Sequence, residues 1–177
     1  MTFITGTDSS LITSLQQQLK DSFHMKDLST LTYFLGLEVH YNSLGVFLNQ
    51  YKYTQDLIAL AGLQESPFVD TPLELNVKYR RDEGDLILDP TLFRQLVGSL
   101  NYLTITRPDI SFAVQQVSQF MQTPRHLHLV ASRRIIRYLS GTSTRGLYFP
   151  SGSHIQLKAF SDSDWARCSD THRSVTG

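Results

Sequence analysis

At 177 residues, 41% of them hydrophobic, the chain can bury a sizeable core as one domain or as two small ones. Its single cysteine, Cys168, excludes an internal disulfide framework; no apolar run approaches the roughly 20 residues of a membrane span, and the opening "MTFITGTDSS" lacks the charged and apolar regions of a secretion signal, so an intracellular protein without a membrane segment is expected. The formal net charge of zero hides an asymmetry: residues 1–90 carry 6 Lys or Arg against 12 Asp or Glu, and residues 91–177 carry 10 against 4.

In chain order, "MTFITG" predicts a short strand, and Thr7 or Asp8 can cap a following helix with Leu11, Leu15 and Leu19 on one face. "LTYFLGLEVHY" alternates Tyr33, Leu35, Leu37, Val39 and Tyr41, and "NSLG" turns it into "VFLNQ", which predicts a hairpin. Tyr53, Leu57, Leu60 and Ala61 stand at helical spacing up to Gly62, a C-cap candidate, before "SPFVDTP" breaks the pattern. Residues 76–89, polar with an embedded Gly84, read as an exposed linker.

Three helices follow, each begun by a proline: Pro90, Pro108 and Pro124 stand near first helical positions, where a missing N–H is no loss. Helices are predicted over about 91–105, 109–121 and 125–140. Their apolar stripes are Leu92, Leu96, Leu100 and Leu103; then Ile110, Ala113, Val117 and Phe120; then Leu127, Ala131, Ile135 and Tyr138. Gly98 and Ser99 are small enough for a neighbour to approach closely. Arg133, Arg134 and Arg137 fall opposite the third stripe, so they face solvent or a partner. Within 91–150 seven arginines are set against one acid, Asp109, which fits either a polyanion-facing segment or a solvated basic face.

Two strands, "LYF" and "IQLKAFSD", are predicted after "GTSTRG". The second delivers Asp162 and Asp164 to one strand face, where two carboxylates alone make a sparse site for a hard cation. Other constellations carry less. His126 and His128, two apart on a helix, lie on different faces and make a poor metal pair. No nucleophile elbow surrounds any serine. Tyr33, Phe34, Tyr41, Tyr51 and Tyr53 can stack on bases, but aromatics at strand spacing more often form core or cross-strand pairs.

"YFLGLEV", "GVFLNQYKYTQDLIALAG", "DPTLFRQLVGSLNYLTITRPDISFAVQQVSQFMQTP", "RIIRYLSGT", "GLYF" and "FSDSDWARCSDTHRSVTG" together resemble the copia-type retrotransposon polyprotein, from reverse transcriptase into RNase H, over nearly the whole chain. The resemblance implies a mixed α/β (α+β) fold. Residues 1–75 would be the end of the palm with a primer-gripping hairpin and helix, 76–90 a linker, 91–141 a helical thumb and connection, and 142–177 the first strands of RNase H. In that family Mg2+ ions held by palm carboxylates of a "YVDD" turn drive RNA-directed DNA synthesis; these 177 residues contain no such turn. Asp162 matches the family's first RNase H carboxylate, a catalytic residue and metal ligand, while the remaining acids of that site have no match. Arg133, Arg134 and Arg137 would contact nucleic-acid phosphates, with an RNA–DNA or DNA template-primer duplex and the remainder of the polyprotein as partners. No catalysis and no tightly bound metal are expected of the chain alone. The alternatives are a non-catalytic nucleic-acid-binding module and a decaying structural relic.

Overall fold

A computed structural model describes residues 8–23, 30–74, 77 and 79–153. The strand expected at "MTFITG" and the strand carrying Asp162 and Asp164 lie outside the described residues, as do Trp165 and Cys168. The chain divides into two compact units, residues 1–31 and 32–177.

In the first unit, helix α1 spans Ser9–Ser22. Of the two expected caps Asp8 serves: its Oδ1 accepts from the Ser10 and Leu11 amides at 2.9 and 3.1 Å, satisfying two donors that the first turn leaves open. These bonds, led by that from the Ser10 hydroxyl, hold the carboxyl below its usual range. The apolar stripe forms as predicted, though no residue of α1 is buried, and Leu11 and Leu15 are exposed.

The second unit joins a four-stranded antiparallel sheet to a group of helices, so the fold is mixed α/β. Strands β1 (Tyr33–Phe34), β2 (Leu37–Asn42) and β3 (Gly45–Asn49) run as a meander, and β4 (Leu147–Pro150) returns to pair with β3. The β2–β3 turn is closed by Asn42, whose Oδ1 accepts from the Leu44 amide at 2.8 Å. Close pairing of β3 and β4 needs two glycines. A Cβ at Gly45 would sit 2.2 Å from the Phe149 carbonyl oxygen, and one at Gly146 would sit 2.1 Å from that of Leu48. The strand expected to open the last portion of the chain is thus hydrogen-bonded to the hairpin, with Val46 opposite Phe149 and Leu48 opposite Leu147.

Helices α2 (Tyr51–Leu60), α3 (Thr91–Leu103), α4 (Ser111–Ser118, preceded by a 3-10 turn at Pro108–Ile110) and α5 (His126–Gly141) follow the predicted ranges closely. Leu57, Leu96, Leu100, Leu103, Ile110, Val117, Ile135 and Leu139 lie in their common core, each burial contributing about 1.5–3 kcal/mol. The α3 stripe is turned slightly from expectation: Phe93 and Val97 are buried, and Leu92 is half-buried. Gly62, at φ +63°, follows the end of α2 as a left-handed residue, as its C-cap role requires. Gly98 is exposed, with nothing within 4 Å of where a Cβ would stand, so the close neighbour expected there is not among the described residues. No described helix is long and apolar enough to cross a membrane.

Candidate nucleic-acid interface

Helix α5 carries the predicted arginines, and both of its ends are pinned. At its start His128, fully buried, accepts the Arg125 amide proton on Nδ1 at 3.0 Å, leaving Nε2 to donate to the Arg80 carbonyl at 3.0 Å. Its ring stacks on Phe120 at 3.7 Å. Burial, reinforced by the charge of Arg125 and opposed by the Arg80 carbonyl, lowers its pKa and keeps the imidazole neutral. His128 is therefore a satisfied core histidine, whereas His126 is exposed. The segment read as a linker is exposed but tied down here: Arg125 donates to the carbonyls of Arg81 and Gly84, and the His126 amide donates to that of Asp85.

At the other end Arg107, 3% exposed, grips Asp109 with both arms of its fork, Nε to Oδ1 at 2.9 Å and Nη2 to Oδ2 at 2.7 Å. The same guanidinium donates to the carbonyl and hydroxyl of Thr142, each at 2.8 Å, just past the end of α5. The Tyr138 hydroxyl donates to Asp109 at 2.9 Å. Burial pushes the Asp109 carboxyl up, but the bonds from Arg107 and Tyr138 and the attraction of the guanidinium outweigh it and hold the pKa below the ordinary value. The sequence offered Asp109 only as a lone acid in a basic stretch; "RPD" followed by Tyr138 and Thr142 one helical turn apart was the available signal.

Between these pins the three arginines behave differently. Arg133 is half-buried and makes no hydrogen bond or ion pair among the described residues. Arg134 and Arg137 hold the irregular segment 67–74 against the helix. Arg134 donates from Nη1 to Glu74 Oε1 at 3.3 Å and from Nη2 to the Thr71 hydroxyl at 3.0 Å, and Arg137 Nε donates to the Pro67 carbonyl at 2.8 Å. The Arg134 Nε is buried without an acceptor among the described residues. The segment lies close enough to α5 that a Cβ at Gly141 would meet the Phe68 ring at 3.0 Å. Sequence reading alone had left this face to solvent or a partner.

The positive field survives these contacts. Among the described residues, carboxylates lie within ion-pair distance of only Arg107 and Arg134 of the seven arginines in 91–150. Arg94 and Arg125 donate to neutral carbonyls, as Arg137 does, and therefore keep their charge. An open groove between α3 and α4 is lined by Asn101, Thr104, Ser111, Phe112, Gln115 and Ser118, a set of amides and hydroxyls with one aromatic ring.

Of the hairpin aromatics, Tyr53 packs edge-on against Tyr102 at 5.2 Å, and the Tyr102 hydroxyl donates to the Leu35 carbonyl, tying the β1–β2 turn to α3. Phe34 is half-buried, and Tyr33, Tyr41 and Tyr51 are exposed. Asp162 lies outside the described residues. Among the described residues no three His, Cys, Asp or Glu side chains converge.

Residues 1–75 match the family model described as reverse transcriptase (RNA-dependent DNA polymerase). Across 98% of its length the chain is 41% identical to the retrovirus-related Pol polyprotein from transposon RE1 of Arabidopsis thaliana, of which it spans 12%. Over the same share it is 41% identical to an uncharacterized mitochondrial protein of that plant, 72% of which it covers. It is 35% identical to the Pol polyprotein from transposon TNT 1-94 of Nicotiana tabacum, over 98% of this chain and 14% of that polyprotein. No solved structure matches. The chain thus corresponds to a short part of the transposon polyproteins it matches and to most of the mitochondrial protein, and it belongs to the reverse transcriptase family of copia-type, retrovirus-related Pol polyproteins.

Proposed function

We propose that the chain is a nucleic-acid-holding portion of a transposon reverse transcriptase, which grips a template-primer duplex while the chemistry belongs to residues outside these 177. Reverse transcriptases as a family use divalent metal and bind template-primer. Here residues 1–75 form the palm end with the gripping hairpin, and the family match stops at the same residue. Residues 76–90 are the linker, 91–141 the thumb and connection, and 142–177 carry β4 followed by the beginning of RNase H, with Asp162 as its first carboxylate and metal ligand. The observation that carries the reading is the excess of arginine in residues 91–150, five of whose seven arginines have no carboxylate within ion-pair distance among the described residues, together with the pinning of α5 at both ends. Arg133, with no hydrogen-bond or ion-pair partner among the described residues, is the foremost phosphate contact, and Arg134 and Arg137 complete the set. Exposed Gly98 on α3 leaves room for a duplex to approach the backbone closely.

Duplex binding measured over a range of ionic strength tests this reading. Affinity should be indifferent to sequence and fall steeply as salt rises, and replacing Arg133, Arg134 and Arg137 together by alanine should flatten the slope by about 0.9 for each lost phosphate contact on B-form DNA. A folded triple variant with an unchanged slope would refute it. The 177-residue chain should neither extend a primer nor cleave an RNA–DNA hybrid; hybrid cleavage abolished by Asp162→Asn would overturn that expectation.

A further inference from the structure

The same protein shows what a fully satisfied structural arginine looks like. Arg107 engages Asp109 through the Nε and Nη2 edge, two short bonds on two oxygens. Arg134 does not. Its one carboxylate partner among the described residues, Glu74, is reached from Nη1 alone at 3.3 Å, Nη2 is spent on the neutral Thr71 hydroxyl at 3.0 Å, and Nε is buried with no acceptor among those residues. The two-pronged edge that suits a carboxylate or phosphate thus holds no anion. Glu74 is 56% exposed, and an exposed single-pronged pair contributes little to stability. The rest of the segment is held by means that do not depend on Glu74: the Pro67 carbonyl on Arg137 and the Phe68 ring against Gly141. It is also acidic: Glu65, Asp70 and Glu74 stand within or next to a stretch that lies along a helix face bearing three arginines.

We propose that the segment 67–74 is a built-in competitor for the nucleic-acid backbone on α5, in which Glu74 stands where a phosphate would bind Arg134 and is displaced when a duplex docks. This rests on the reading of α5 as the duplex-facing helix. The exchange makes sense energetically, because Glu74 holds Arg134 from an exposed position through one long bond on Nη1, and a phosphodiester meeting that same arm replaces it with a charge-assisted bond while Thr71 keeps Nη2. Tyr79 reports the same site from the other side: burial raises its phenol pKa, Glu74 raises it further, and Arg134 opposes them, which places all three groups within electrostatic reach.

The test is Glu74→Gln, which keeps the shape and removes the charge. Binding of a fluorescently labelled mixed-sequence duplex is followed by anisotropy at several ionic strengths, beside the wild-type chain, Arg134→Ala and the double variant. Folding is checked by circular dichroism, and Arg134→Lys replaces Arg134→Ala if the latter does not fold. Glu74→Gln should tighten binding about three- to tenfold at low salt and steepen the salt slope by up to about 0.9, as one more cation becomes free to meet a phosphate. With Arg134 removed, or reduced to a lysine without the fork, Glu74→Gln should lose most of this effect. Wild-type binding matched by Glu74→Gln in affinity and slope overturns the competitor while leaving the duplex reading intact. An equal gain in the absence of Arg134 also overturns it, since the acid would then act only through net charge. If neither wild type nor Glu74→Gln binds duplex at low salt, the duplex reading falls and the competitor with it.

Discussion

Removing Arg107 should cost far more than removing any other arginine of the basic segment, and the loss should have a recognisable pattern. Arg107→Ala takes away the two short bonds to Asp109 and both bonds to Thr142. Asp109 keeps the Tyr138 hydroxyl and is 37% exposed, so water recovers part of its loss, and the cost should be about 2–3 kcal/mol. Asp109→Ala is the harsher change: it strands a guanidinium that is 3% exposed, and about 3–5 kcal/mol is expected. Arg107→Lys, which keeps the charge but not the fork, should fall below both. Against a total stability of about 5–15 kcal/mol for a domain, each of the alanine variants is a large fraction. Urea unfolding followed by far-ultraviolet circular dichroism measures all three, and the double variant should lose less than the sum of the single losses by about 1.5 kcal/mol or more. Because the Asp109 pKa is lowered on folding, its contribution is full above the ordinary carboxylate value of 3.8 and is lost as pH falls through the folded value, so the gap between wild type and Arg107→Ala should shrink in acid. Additive losses, or an Asp109→Ala variant as stable as wild type, would refute the network as described.

The His128 pKa is lowered by burial, so as pH falls the unfolded chain takes up its proton first; stability should be full above about 6.5 and decline below it, as urea midpoints at pH 7.5 and 5 would show, with His128→Gln flattening the difference. Gly146→Ala should displace β4 from β3, at about 2–4 kcal/mol, and expose the β3 amides to faster hydrogen exchange; unchanged protection would count against the close approach. Leu35, exposed and at φ +47°, sits in a region costly for a side chain, so Leu35→Gly should leave thermal stability unchanged or raise it by up to about 1 kcal/mol, and a marked loss would show that the side chain has a packing role.

The helices were legible because their signals are local. A proline near each start and apolar residues at helical spacing fix α3, α4 and α5 within a few residues, and Ile110, Ala113, Val117, Phe120, Ala131, Ile135 and Tyr138 are buried as read. The hairpin was legible for the same reason, since alternation and "NSLG" lie within one short window. What escaped depends on partners distant in sequence. "GLYF" reads as a strand, but period-two alternation does not name its neighbour, and the neighbour is β3. The arginine face was found from helix periodicity, whereas its cover was not, because nothing in "PFVDTPLE" declares that Thr71 and Glu74 meet Arg134. Likewise Arg107 looked like part of a basic surface until the fold brought Asp109 and Thr142 around it.

The return of β4 to β3 has a consequence for how the protein comes into being. The paired residues Val46 and Phe149 are roughly a hundred positions apart, so the sheet closes a long loop containing all the helices from α2 to α5, and closing such a loop carries an entropic cost that local helical contacts avoid. During synthesis the hairpin emerges first, with the outer edge of β3 unpaired while the helical segment is still being made. That edge presents free amides and carbonyls to any extended chain nearby until its own partner arrives. Docking of the helices shortens the effective loop, so β4 should zip onto β3 as a late step, and slowed helix packing should reveal itself as strand-mediated aggregation of the nascent protein.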